Sequence, residues 1–204
     1  MSSYTVISAV SEALRSILWQ SYAGDPVVRA IVGSEDAIVF TNPTATVQDS
    51  ANRLSLWLYH ITEDGYMKNQ PPQRFSGTGI RETPLATNLF YLLTPFAGSG
   101  KSDHLLLGLT MQTLYDNAIV LLERPTEREF IELRVILCRL SLEELTRIWE
   151  ALRDPYRLSV CYEVRVALID SRRHSNATRV LQIEGLYDDQ PAEARILAKT
   201  GGLN

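Results

Sequence analysis

Leu54-Ser55-Leu56-Trp57-Leu58-Tyr59-His60-Ile61-Thr62 is apolar on both sides of a two-residue period. Leu54, Leu56 and Leu58 point one way; Trp57, Tyr59 and Ile61 point the other. A strand with two apolar faces belongs inside a sheet that is covered on both sides. Leu85–Phe96 repeats the pattern, with Leu85, Leu89, Tyr91 and Leu93 opposed to Phe90 and Leu92. Two more strands are legible toward the C-terminus. In Phe130–Cys138, Ile131, Leu133, Val135 and Leu137 face a core while Glu132 and Arg134 face out. In Leu158–Ile169, Val160, Tyr162, Val164, Val166 and Leu168 share one face, and Glu163 and Arg165 take the other.

Helices flank these strands. From Thr5 to Tyr22, Ile7, Val10, Leu14, Ile17 and Leu18 recur at the 3.6-residue period. Gly24-Asp25-Pro26 then punctuates the chain. Ala37–Thr41 reads as a short edge strand ending at Asn42-Pro43. A second helix is expected from Ser102 or Asp103, with Leu107, Met111, Leu114 and Ala118 in one stripe. Leu105, Leu106 and Leu109 widen that stripe beyond what one sheet face needs. Ser141-Leu142-Glu143-Glu144 is a capping box. The helix it opens directs Leu142, Leu145, Ile148, Trp149 and Leu152 inward and stops at Asp154-Pro155. The expected fold is α+β: a mixed or antiparallel sheet packed by about three helices. Residues 1–170 form the folded body, and 171–204 a C-terminal arm or tail. Gly65–Pro84, with Pro71, Pro72, Gly77 and Gly79, reads as a protruding loop or hairpin open to a partner. Arg179–Glu184 reads as a last short strand.

The 204 residues carry 24 acidic and 20 basic side chains, a formal charge of -4. Nucleic-acid-binding domains are usually basic, so none is expected as a partner. No apolar run reaches the roughly 18 residues of a membrane span, so direct membrane insertion is not expected. Met1-Ser2-Ser3-Tyr4 lacks the features of a secretory signal. Cys138 and Cys161 make no disulfide framework. A cytoplasmic location follows as the expectation.

No constellation carries catalysis. Gly98-Ser99-Gly100-Lys101-Ser102 resembles the end of a phosphate-binding loop between a strand and a helix. Its pattern needs a glycine where Pro95 stands, and proline has no N–H and a fixed φ. His60, His104 and His174 have no companion at metal-ligand spacing. Cys138 and Cys161 are far apart in sequence and read as inert buried thiols. No Gly-x-Ser-x-Gly elbow is present. No cofactor, metal site or enzyme activity is expected.

Several segments in order resemble a known family. They are Tyr4–Arg15; Leu56-Trp57-Leu58-Tyr59-His60-Ile61; Thr83–Thr94; Leu114-Tyr115-Asp116-Asn117; Leu140–Leu145 with Trp149 and Leu152; Pro155–Ser159; and Tyr162-Glu163-Val164. The set resembles the N-terminal domain of the tube-terminator, or cap, proteins of phage-tail-like contractile injection systems, over roughly Ser3 to Asp170. The resemblance implies a phage tail-terminator-like fold and a structural role without catalytic residues. It implies a homo-hexameric ring that closes the distal end of an inner tube, contacts the last ring of sheath protein, and belongs to an assembled injection particle. Ring subunits meet head to tail through two different patches. The candidate interface residues are Arg74, Arg81, Leu105, Leu109, Arg179, Leu181, Ile183 and Tyr187. The alternatives are a nucleotide hydrolase using Lys101 and Ser102, and a monomeric adaptor.

Overall fold

The two strands with double apolar faces lie side by side in the interior of a six-stranded sheet. A computed structural model describes residues 3–66, 73–75, 79–81, 84–124, 129–169, 174–176, 184–185 and 196–197. In chain order the elements are α1 (Val6–Gly24), α2 (Pro26–Val32), β1 (Ile38–Val39), α3 (Pro43–Thr46), β2 (Leu54–Glu63), β3 (Gln73–Phe75), β4 (Gly79–Arg81), β5 (Leu85–Pro95), α4 (Gly100–Asp116), β6 (Ile119–Arg124), β7 (Glu129–Leu137), α5 (Leu142–Leu152), β8 (Val160–Ile169), β9 (His174–Asn176), β10 (Glu184–Gly185) and β11 (Ile196–Leu197). The contacts divide them into two units, Met1–Gln70 with Pro84–Asp170, and Pro71–Thr83 with Ser171–Asn204.

The larger unit holds the sheet in the order β1-β2-β5-β8-β7-β6. β1 runs parallel to β2, and every other pairing is antiparallel. The fold is α+β with a mixed sheet, as the sequence predicts. It has five α-helices among the described residues, where the periodicity predicts about three. The two unforeseen helices open on prolines that read as breakers. Asp25 Oδ1 accepts the N–H groups of Val27 and Val28, and Asn42 Oδ1 accepts that of Ala45. Pro26 and Pro43 occupy the first helical turn, where a missing N–H costs nothing.

One sheet face is packed by α1, α2 and α4. Val10, Leu14, Leu18 and Tyr22 of α1 join Leu106 and Leu114 of α4 in a single cluster with Leu54, Leu56, Leu89, Tyr91, Leu93, Leu133 and Val164 of the sheet. α4 starts at Gly100, earlier than Ser102 or Asp103, because Ser99 Oγ accepts the Ser102 N–H at 3.2 Å. It stops at Asp116, so Ala118 is not on its stripe, and β6 follows within three residues. Leu106 is fully buried, while Leu105 points outward.

Two bulges redirect side chains. In β2 the register shifts between Leu58 and His60, so Ile61 pairs with Leu89 and leaves the face of Trp57. In β8 three residues span what two span in β5, so Ala167 rather than Leu168 joins the face of Val164. Ala167 is completely buried there, and Thr87 Oγ1 donates to its carbonyl. Leu137, expected in the core, is 44% exposed. On α5 only Trp149 is buried, and Leu142 is 66% exposed, against the expectation of a fully inward stripe.

In the smaller unit, β3 and β4 form an antiparallel hairpin, and β4 also pairs with β9. The Gly65–Pro84 excursion therefore holds a hairpin. The stretch expected as an arm or tail includes the short strand β9. β10 pairs with β11.

Candidate functional site

The sheet face away from α1, α2 and α4 is only partly covered. α3 and α5 serve one end of it, where Thr44 Oγ1 donates to Asp154 Oδ2 and Trp149 Nε1 donates to Ser159 Oγ. Along the centre runs a band of rings. Trp57 and Tyr59 are 5.9 Å apart, Tyr59 and Phe90 6.4 Å, and His60 and Phe90 5.4 Å between centroids. The β2 bulge brings Tyr59 and His60 into this band together. Beneath it lie Leu92 and Cys161, both buried, and the Tyr59 hydroxyl lies 3.2 Å from Cys161 Sγ.

Toward β6 the same face opens to solvent. β7 pairs with β8 only from Arg134 to Leu137, so its first half is held by β6 alone. On this overhanging hairpin Val120, Ile131 and Leu133 turn into the core. Ile119, Leu121 and Phe130 turn out and are 59%, 63% and 63% exposed. Ile136 continues the patch. β6 also ends the sheet, so one side of its backbone has no partner strand among the described residues. A free strand edge next to an exposed apolar patch marks a surface that another chain can cover. Periodicity reasoning did not find it. The signal was Ile119-Val120-Leu121-Leu122, four large apolar residues that follow Asn117-Ala118.

Of the predicted interface residues, Leu105 is exposed on α4, and Leu109 is half-buried against the core. Arg74 and Arg81 belong to β3 and β4, and their side chains lie outside the described residues. Arg179, Leu181, Ile183 and Tyr187 also lie outside them, as does Arg179–Glu184 apart from Glu184, which pairs with Leu197.

The phosphate-loop likeness fails on geometry. Gly98 turns the chain at φ +84, and Ser99 spends its oxygen on the Ser102 N–H and its proton on the Ser102 hydroxyl. Asp103 Oδ1 takes the Ala97 N–H at 2.7 Å. The loop thus turns a carboxylate onto its own Ala97 N–H, where a cradle would hold a phosphate.

The cysteines contradict their separation in sequence, for β7 and β8 bring them side by side. Cys161 is drawn below the usual thiol range by a hydrogen bond from Cys138, against its burial and with help from Tyr59. Cys138 is pushed up by that neighbour and by burial, and burial raises Tyr59. Among the described residues no group of three or more His, Cys, Asp or Glu stands ready to hold a metal ion. Among the same residues no helix is long and apolar enough to cross a membrane.

The family model described as the Pvc16 N-terminal domain matches residues 9–182. No curated protein matches the sequence. The fold is similar to that of the PVC sheath/tube terminator of an extracellular contractile injection system in its extended state. The TM-score is 0.61 at 20% identity, over 92% of this chain and 65% of the other. It is also similar to the anti-feeding prophage cap, the AFP tube-terminating cap, with a TM-score of 0.53 at 20% identity, over 79% and 57% of the two chains. The chain thus spans less than two thirds of the length of either protein.

Proposed function

The chain belongs to the Pvc16 N-terminal-domain family, and from that premise we propose that it is a structural tube terminator of a contractile injection system. In this reading six copies form a ring that closes the distal end of an inner tube and meets the last ring of sheath protein. The ring assembles in the cytoplasm as part of an injection particle. The observation that carries the reading is the overhanging β6–β7 hairpin, with an edge that no described strand pairs and with Ile119, Leu121 and Phe130 turned outward. A head-to-tail ring needs such a patch on every copy, facing a different patch on the next. The exposed leucines of α4 and α5, Leu105 and Leu142, offer apolar surface for the second. Residues 1–170 serve as the ring body, and the segment after them is an arm for a neighbour. Its Arg179–Glu184 stretch can add a strand to a neighbour's sheet through main-chain hydrogen bonds. The self-occupied Gly98–Ser102 loop supports a structural role over nucleotide hydrolysis.

The test is the mass of the full chain, alone and on purified tubes, with electron microscopy of the tube ends. Six copies capping each end are expected, and tubes from a strain lacking the protein should vary in length. A chain that stays monomeric in both settings, with tube length unchanged by its deletion, overturns the proposal in favour of an adaptor.

A further inference from the structure

In the β7–β8 pairing Leu137 stands opposite Tyr162. One step further in the same register Cys138 stands opposite Cys161, and its N–H donates to the Cys161 carbonyl at 2.8 Å. Residues directly opposed in an antiparallel pair show their side chains on one face, with Cα atoms about 5.5 Å apart at a hydrogen-bonded position. A disulfide needs a Cα separation of roughly 4.4–6.8 Å and converging side chains. The register therefore places the two cysteines where a cross-strand disulfide is within reach. The two sulfurs also differ in access. Cys161 is 3% exposed under the Tyr59 hydroxyl, while Cys138, one residue past the end of β7, is half-buried.

We propose that Cys138 and Cys161 form a dithiol site that closes to a cross-strand disulfide when the protein meets a low-molecular-weight disulfide. Cys138, the sulfur that solvent reaches, attacks one sulfur of the small disulfide and passes its proton to the departing small thiolate. A mixed disulfide forms at Cys138, and one small thiol leaves. The Cys161 thiolate, which the Tyr59 hydroxyl faces, then attacks the Cys138 sulfur and expels the second small thiol. The protein gives up two protons and two electrons, and the small disulfide takes up both as two thiols. The link ties together the two ends of the segment that carries α5. It also fastens β7 to β8 at the end of their pairing opposite to the stretch of β7 that β6 alone holds.

The experiment incubates the full chain with oxidised glutathione and follows free thiols, intact mass and non-reduced peptides. Both thiols should disappear together, with a mass loss of two hydrogens and one peptide pair joining Cys138 to Cys161 within a single chain. The denaturation midpoint should rise, and dithiothreitol should reverse the rise. Cys161→Ser should stop at a glutathione adduct on Cys138, and Cys138→Ser should leave Cys161 unreacted. Three results overturn the proposal: both thiols surviving the oxidant, the wild-type chain halting at the Cys138 adduct, or crosslinks only between chains.

Discussion

Replacing the two hydroxyls that join α1 to α4 inside the core gives a quantitative test of the packing. The Tyr22 hydroxyl lies 2.6 Å from Thr110 Oγ1, and both residues are completely buried. Thr110 spends its own proton on the Leu106 carbonyl at 2.7 Å, so Tyr22 is the donor of the pair. Burial holds the Tyr22 phenol protonated by pushing its pKa well above the ordinary value. Thr110→Val keeps the shape but strands the Tyr22 O–H without an acceptor, at a cost of about 1–3 kcal/mol. Tyr22→Phe leaves Thr110 bonded to Leu106 and removes one hydrogen bond, at a cost of about 1 kcal/mol. In the double variant neither orphan remains. Its loss should fall short of the sum by about 1–2 kcal/mol. Urea unfolding followed by far-UV circular dichroism reads this as midpoint shifts at constant slope. Losses that add within about 0.5 kcal/mol would mean that the two hydroxyls are not coupled, and would refute the placement of α1 against α4.

Three other outcomes follow from single sites. Glu144 accepts the Ser141 N–H and hydroxyl, and these bonds hold its pKa below the ordinary 4.5. A depressed carboxylate stabilises fully above its unfolded pKa, and that contribution fades as pH falls through the folded value. Thermal melts between pH 6 and pH 3 should therefore show a smaller acid loss for Glu144→Gln than for the parent. Arg153 closes α5 at φ 57, so Arg153→Gly should raise stability by up to about 1 kcal/mol in urea unfolding, since glycine adopts that conformation freely. Leu121→Arg, on the exposed side of β6, should leave the unfolding midpoint within about 0.5 kcal/mol of the parent. It should nonetheless abolish ring formation by native mass spectrometry.

The candidate surface was the least legible part of the sequence. Leu105 and Leu106 were both read as widening the stripe of α4, yet one faces solvent and the other is sealed in the core. The stripe on α5 is as regular as that on α1, but the sheet beneath it takes only Trp149. Periodicity states that a face is apolar and leaves open whether this chain or another covers it.

The sequence by itself determined the elements whose signals are local. The helix over Thr5–Tyr22, the interior strands beginning at Leu54 and Leu85, and the Ser141–Glu144 box each depend on side chains within a turn or two of one another. Proline and its capping Asx residue were ambiguous at Pro26 and Pro43, because the same pair can end one helix and begin the next. The tertiary structure alone decided register. A bulge adds one residue with no local mark, yet it moved Ile61 and Leu168 to opposite faces from those their alternation gives. The same register set Cys138 against Cys161. Which residues meet across strands is chosen by the packing of the whole sheet, a sum of burial and hydrogen bonds that no short stretch of chain contains.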